Sequence, residues 1–151
     1  MEWSLAQDVS GVASSSAHVS TDFSTAHCSW PLVRYVKCNF DASVPLYGQG
    51  VGLGWILRDH YGHSIHTGMV YQEGSFNPLI AEALTAREVL LWLKSNQFHH
   101  VVLEIDDLLL VNAITTYALD FSYLGLLVQD IKNLLSEIDD VSMVYVRKYV
   151  N

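Results

Sequence analysis

A chain of 151 residues, half of them hydrophobic, is long enough for one domain with a buried core. Its 16 acids against 8 Lys and Arg leave a net charge of -8, which speaks against a protein that grips polyanions through a general basic face. Such a balance suits nucleic-acid chemistry only where acids gather at a metal site and bound cations invert the local sign.

Cys28 lies in a polar stretch and Cys38 in an apolar alternating run, so the pair forms no disulfide framework and a reducing compartment is expected. No basic stretch followed by an apolar run marks a secretory signal, and no apolar run reaches membrane-spanning length. The expectation is a soluble, monomeric, intracellular protein of the cytoplasm or nucleus, with no membrane partner.

Residues 1–29, rich in Ser, Thr, Ala and His and without periodicity, predict a disordered or poorly ordered tail, with the domain proper over 30–151. From Tyr35 to Asp41, Val36, Cys38 and Phe40 alternate with Lys37, Asn39 and Asp41, the pattern of a strand with one buried face. A loop follows, and Gly50 to Arg58 alternates again, with Val51, Leu53, Trp55 and Leu57 on one side. Glycines at alternate positions, Gly52 and Gly54, predict something packed closely against that strand. Asp59-His60-Tyr61-Gly62 reads as a turn and Ser64 to Tyr71 as the returning strand, which completes an antiparallel meander.

The period then changes. Asn77 as N-cap and Pro78 as first helical residue predict a helix to about Asn96, with Leu79, Ala83, Ala86, Leu90 and Leu93 on its apolar stripe. Val101 to Asp106 is a short apolar strand of the kind buried in a parallel sheet. A helix from Leu108 to about Thr116 follows, then one from about Ser122 to Ile138, then a strand from Val141 to Arg147. The order is β-β-β-α-β-α-α-β.

Three acids interrupt apolar structure: Asp41 at the end of the first strand, Glu82 early in the long helix, and Asp106 at the end of the fourth strand. Close carboxylates raise each other's pKa, and a hard divalent cation relieves the repulsion. Two such ions about 3.5–4 Å apart can activate water and stabilise a leaving oxygen in phosphodiester cleavage. Each acid also has a plainer reading. Asp41 suits a loop entry, Glu82 suits a helix N-terminal region, and Asp106 and Asp107 compete for one N-cap.

Lys37-Cys38-Asn39-Phe40-Asp41-Ala42-Ser43 followed by Gly52 to Gly62 resembles the opening of plant ribonuclease H-like domains related to retroelement reverse transcriptases, K-x-N-x-D-A/G and then G-x-G-x-x-x-R-D-x-x-G. Ala81-Glu82-Ala83-Leu84-Thr85-Ala86-Arg87-Glu88 is similar to the helix signature of that family. Val102 to Asp106 is similar to its V-x-x-E-S-D strand, with Ile105 in place of Ser, and Val146-Arg147 to Asn151 to its V-x-R-x-x-N. The resemblance covers about Trp30 to Asn151.

The resemblance implies an α/β ribonuclease H-like fold, a mixed five-stranded sheet flanked by helices. It implies Mg²⁺- or Mn²⁺-dependent hydrolysis of the RNA strand of an RNA–DNA hybrid, with two ions at a complete site. Asp41, Glu82 and Asp106 would be the catalytic metal ligands, and Ala42, Ser43 and Asn77 would lie near substrate. In the family a final helix with a fourth acidic or histidine position follows the Asn. This sequence stops there, so the domain is expected to lack that helix.

Other clusters are weaker. His60, His63 and His66 read as solvated hairpin residues, His99-His100 as a turn, and Asp139-Asp140 as a loop pair. Tyr35, Trp55 and Tyr71 are candidate stacking surfaces but more often fill a core. Two functions compete, a metal-dependent hybrid endonuclease and a nucleic-acid-binding or interaction domain that keeps the fold without catalysis. An integrase or exonuclease of the same fold suits the helix signature and hairpin less well.

Overall fold

A computed structural model describes residues 18–20, 33–46 and 49–147 of the chain. Five strands form its mixed sheet: β2 (Val36–Ser43), β3 (Val51–Arg58), β4 (Ser64–Gln72), β5 (Val101–Ile105) and β6 (Val141–Tyr145). The spatial order is β6-β5-β2-β3-β4, and a three-residue strand, β1 (His18–Ser20), extends the β6 edge. β2, β3 and β4 pair antiparallel as the meander, whereas β5 pairs parallel with both β2 and β6. The pairing of β1 with Ser142–Val144 lies inside the stretch expected to be a tail, and the rest of residues 1–29 lies outside the described residues.

The helices form where the caps direct. Asn77 accepts a hydrogen bond from the Ile80 N–H at 2.9 Å and starts α1 (Pro78–Ser95). Asp107 accepts from the N–H groups of Leu109 and Leu110 and starts α2 (Leu108–Thr115). Ser122 accepts from Gly125 and starts α3 (Tyr123–Glu137). α1 packs on β2 and β3, with α3 and α2 beside it.

One contiguous core results. Cys38, Leu53, Leu57, Leu90, Leu103, Ile131 and Met143 are fully buried within it. On β3 the buried residues alternate strictly with partly exposed ones, which puts Gly52, Gly54, Ile56 and Arg58 on the second sheet face. Burial pushes the Cys38 thiol up to about 12, so it is a small hydrophobe in this setting and not a nucleophile.

Two sequence expectations change here. A Cβ added to Gly52 or Gly54 would meet only ordinary contacts, with Ser43 at 3.7 Å and with Gly68 and Asp41 carbonyl oxygens at 3.8 and 3.9 Å. The close approach occurs instead at Gly68 on β4, which pairs with Trp55 and whose Cβ would enter the indole ring. Tyr71 is exposed, its hydroxyl donating to the Gln49 carbonyl, so it does not fill the core as Trp55 does.

Candidate active site

The parallel pairing of β2 and β5 sets the site. Asn39 faces Glu104 in that register, so Asp41 and Asp106, each two residues further on, share one end and one face of the sheet. Asp41 is exposed and Asp106 half-buried. Glu82 comes from the second turn of α1 and is 8% exposed.

A single backbone group ties helix to strand. The Ala42 N–H donates both to Asp41 Oδ1 at 3.0 Å and to Glu82 Oε1 at 3.1 Å. The other oxygen of Glu82, Oε2, is buried with no hydrogen-bond partner. Burial pushes the Glu82 carboxyl up to about 8; the Ala42 N–H opposes the shift, while the charges of Asp106 and Asp41 and a hydrogen bond with the Asp41 side chain add to it.

The three sequence-predicted acids are thus electrostatic neighbours around Glu82. They do not form a finished cage: among the described residues no three His, Cys, Asp or Glu side chains already stand as a group that could hold a metal ion. The donor set still fits a hard divalent cation, because all three are carboxylates and a buried, unpartnered oxygen is the atom such an ion would satisfy.

Asp107 settles the competition for the N-cap. Its side chain is committed to the first turn of α2, which leaves Asp106 for the site. Asp107→Ala should therefore lower stability by about 1 kcal/mol in chemical denaturation while leaving Mn²⁺ titration unchanged. Asp106→Asn should do the opposite, weakening Mn²⁺ binding without loss of stability.

Of the residues expected near substrate, Ser43 is exposed at the end of β2, on the same face as Asp41. Ala42 is half-buried against the core, and its N–H serves the carboxylates. Asn77 caps α1 through its side-chain oxygen. A groove of about 530 Å³ opens beside the acids, lined by Asn39, Asp41, Gly54, Met69, Glu104 and Asp106 among others.

Lys37, Asn39 and Glu104 are motif letters to which the sequence alone assigns no role. Lys37, only 5% exposed, pairs with Glu104 Oε1 at 2.5 Å. Asn39 Nδ2 donates to Glu104 Oε2 at 2.5 Å, and Arg58 Nη1 donates to Asn39 Oδ1 at 3.4 Å. The signal was available in the two-residue spacings Lys37-x-Asn39-x-Asp41 and Glu104-x-Asp106, which put each frame residue on the face of a candidate ligand.

The remaining titratable groups serve other ends. At the opposite end of the sheet Asp140 accepts from the Tyr35 hydroxyl at 2.5 Å and contacts His100 Nδ1 at 2.6 Å. The hydrogen bonds from Tyr35 and then His100 hold its carboxyl below the usual range. His66 lies on the expected returning strand but is not a solvated residue: it is half-buried and stacks on Trp92 with centroids 4.0 Å apart. No described helix is long and apolar enough to cross a membrane.

A family model described as reverse transcriptase-like matches residues 39–151. No curated protein matches the chain. Among solved structures, an RNase H1 from the halophilic archaeon Halobacterium salinarum aligns with a TM-score of 0.65 at 22% identity, over 76% of this chain and 86% of that one. The N-terminal RNase H domain of rv2228c from Mycobacterium tuberculosis aligns with a TM-score of 0.63 at 14% identity, over 76% and 88%. LC11-RNase H1 in complex with an RNA/DNA hybrid aligns with a TM-score of 0.57 at 14% identity, over 75% and 86%. LC11-RNase H1 was isolated from compost. At these identities the likeness shows a ribonuclease H-like fold.

Proposed function

The chain belongs to the reverse transcriptase-like family, and we propose that its carboxylate site hydrolyses the RNA strand of RNA–DNA hybrids with Mg²⁺ or Mn²⁺. The observation that carries this reading is that Glu82, whose Oε2 is buried and unpartnered, feels the charges of both Asp41 and Asp106, the two acids that line an open groove. Asp41, Glu82 and Asp106 would hold the cation. When bound, it supplies Lewis-acid polarisation of a phosphate oxygen and a water nucleophile at neutral pH.

The residues of the chain do the positioning. The Ala42 N–H fixes one oxygen of Glu82 and one of Asp41, so the acids keep their orientation as the local charge changes. The groove beside them, with Ser43 at the end of the same strand face, gives a backbone phosphate a path to the site. An enzyme of this kind reads minor-groove shape and 2′-hydroxyls, so cleavage should show no preference for base sequence. Cleavage of a labelled RNA–DNA hybrid with Mg²⁺ or Mn²⁺, beside single-stranded RNA and duplex DNA, tests the reading. Cutting confined to the RNA strand of the hybrid supports it, and no cutting at any ion concentration contradicts it.

A second reading, a binding domain of the same fold without catalysis, draws on the absence of a ready ion-holding group among the described residues. It predicts saturable hybrid binding that Mn²⁺ neither strengthens nor converts to cleavage.

The raised Glu82 carboxyl sets a pH dependence. Its ordinary value is 4.5 and its value here about 8, so the native state holds the proton more tightly than the unfolded chain. Stability in metal-free buffer should be full below the ordinary value and fall as pH rises through about 8. Calorimetric melting across this range should show the fall in the native chain and a flat profile in Glu82→Gln. A cation competes with that proton, so Mn²⁺ affinity should increase with pH up to about 8, with proton release on binding.

A further inference from the structure

β4 ends the sheet on the side away from β6, and no other described strand than β3 pairs with it, whereas β1 extends the edge at β6. A sheet edge presents a row of N–H and C=O groups to any passing strand, and proteins blunt it with charge, proline, short strands or bulges. β4 carries little of that protection. Its nine residues, Ser64–Gln72, include no Asp, Glu, Lys, Arg or Pro. A bulge shifts the pairing at the Ser64 end and leaves His66–Gln72 as seven regular residues. Met69, in the middle of that run, is 82% exposed, and Tyr71 is 64% exposed.

We propose that this strip pairs antiparallel with the same strip of a second copy of the chain, so that two sheets become one across a two-fold axis at Met69. The bulge sets the register. With Met69 at the axis all seven regular residues pair: Met69 meets Met69 of the other copy, Thr67 meets Tyr71, Gly68 meets Val70, and His66 meets Gln72. Residues directly opposite share a face, so the exposed Met69, Thr67 and Tyr71 side chains cover one another on the Gly54 side of the sheet.

Charge argues for a second copy as the occupant. Two chains of net charge -8 can approach closely only where the surface carries no charge, and this strip carries none. Just beyond it the charges match, since exposed Glu73 of one copy falls one diagonal step from exposed His63 of the other. A two-fold contact of this kind is closed, so both β4 edges are satisfied and no further copy is recruited there. Thr67, Gly68 and Met69 also line the groove beside the acids, so the two grooves open on one face and adjoin at the axis.

Sedimentation velocity of the full chain in metal-free buffer, over a dilution series, tests the proposal. The native chain should pass from monomer to dimer as concentration rises. Met69→Lys and Met69→Glu each set like charges against each other at the axis and should each weaken self-association at least about tenfold. An equimolar mixture of the two variants should regain the dimer, because Lys then faces Glu. Leu119→Lys, at an exposed apolar residue between α2 and α3, should leave the dimer unchanged. A native chain that stays monomeric, as it would if the edge served an extended peptide instead, overturns the proposal. So does a dimer that Leu119→Lys abolishes, or one that Met69→Lys leaves intact. Amide hydrogen exchange of the native chain decides without any variant: exchange within His66–Gln72 should slow as concentration rises, and exchange that does not change with concentration contradicts the pairing.

Discussion

Asp41→Asn and Asp106→Asn should each reduce Mn²⁺ affinity by more than the roughly 10–100-fold that loss of an outer-shell partner costs, and should remove any hybrid cleavage. An amide offers an oxygen of similar shape but no negative charge, and a hard cation is held by charge as much as by geometry. The fold should not suffer. In the metal-free chain both aspartates raise the cost of ionising the buried Glu82, so neutralising either one relieves repulsion. Melting temperatures in metal-free buffer should be equal to or slightly above that of the native chain. Loss of Mn²⁺ binding together with an unchanged or higher melting temperature identifies a site rather than a scaffold. A fall in both would point to structural aspartates.

The largest effect on stability is expected at Leu103. It sits mid-strand in β5, fully buried, paired with Cys38 of β2 on one side and Met143 of β6 on the other. Leu103→Ala removes transfer energy and leaves a cavity that neighbouring strands cannot easily close, a loss of about 2–5 kcal/mol. Against a typical total of about 5–15 kcal/mol, that is a large share of the stability and should shift the unfolding midpoint well below that of the native chain. Leu109→Ala, on the outer side of α2 and 65% exposed, should change stability by no more than about 0.5 kcal/mol. Urea denaturation of the two variants in parallel checks the contrast. Similar small losses at both positions would mean that β5 is not at the centre of the core.

Much of this fold could be read from residues whose local chemistry and tertiary role agree. Asn77-Pro78 starts α1 because a side-chain acceptor and a residue lacking an N–H both suit a first turn, and Ser122 does the same for α3. The alternation of Val51, Leu53, Trp55 and Leu57 fixed a buried face that the sheet confirms residue by residue.

The misreadings have a common cause. His66 reads as a solvated hairpin residue until Trp92, from the following helix, covers its ring. Gly52 and Gly54 suggested a tight neighbour, but tight packing fell at Gly68 because the Trp55 indole lies across the next strand. Both depend on side chains that meet across elements, which the local pattern does not place. The candidate site was legible as three acids at element ends, whereas the Lys37–Glu104–Asn39 frame needed the β2–β5 register before its spacing acquired meaning.

On a chain with 16 acids, a divalent cation should enter among Asp41, Glu82 and Asp106 and not elsewhere. Paramagnetic broadening by substoichiometric Mn²⁺ in the backbone amide spectrum of the full chain tests it directly. The first resonances lost should be those of Asp41, Ala42, Glu82 and Asp106, with Asp59, Asp120 and Asp140 unaffected until Mn²⁺ is in excess. Broadening that begins at those other acids, or spreads evenly over the acidic surface, would contradict the site and the function built on it.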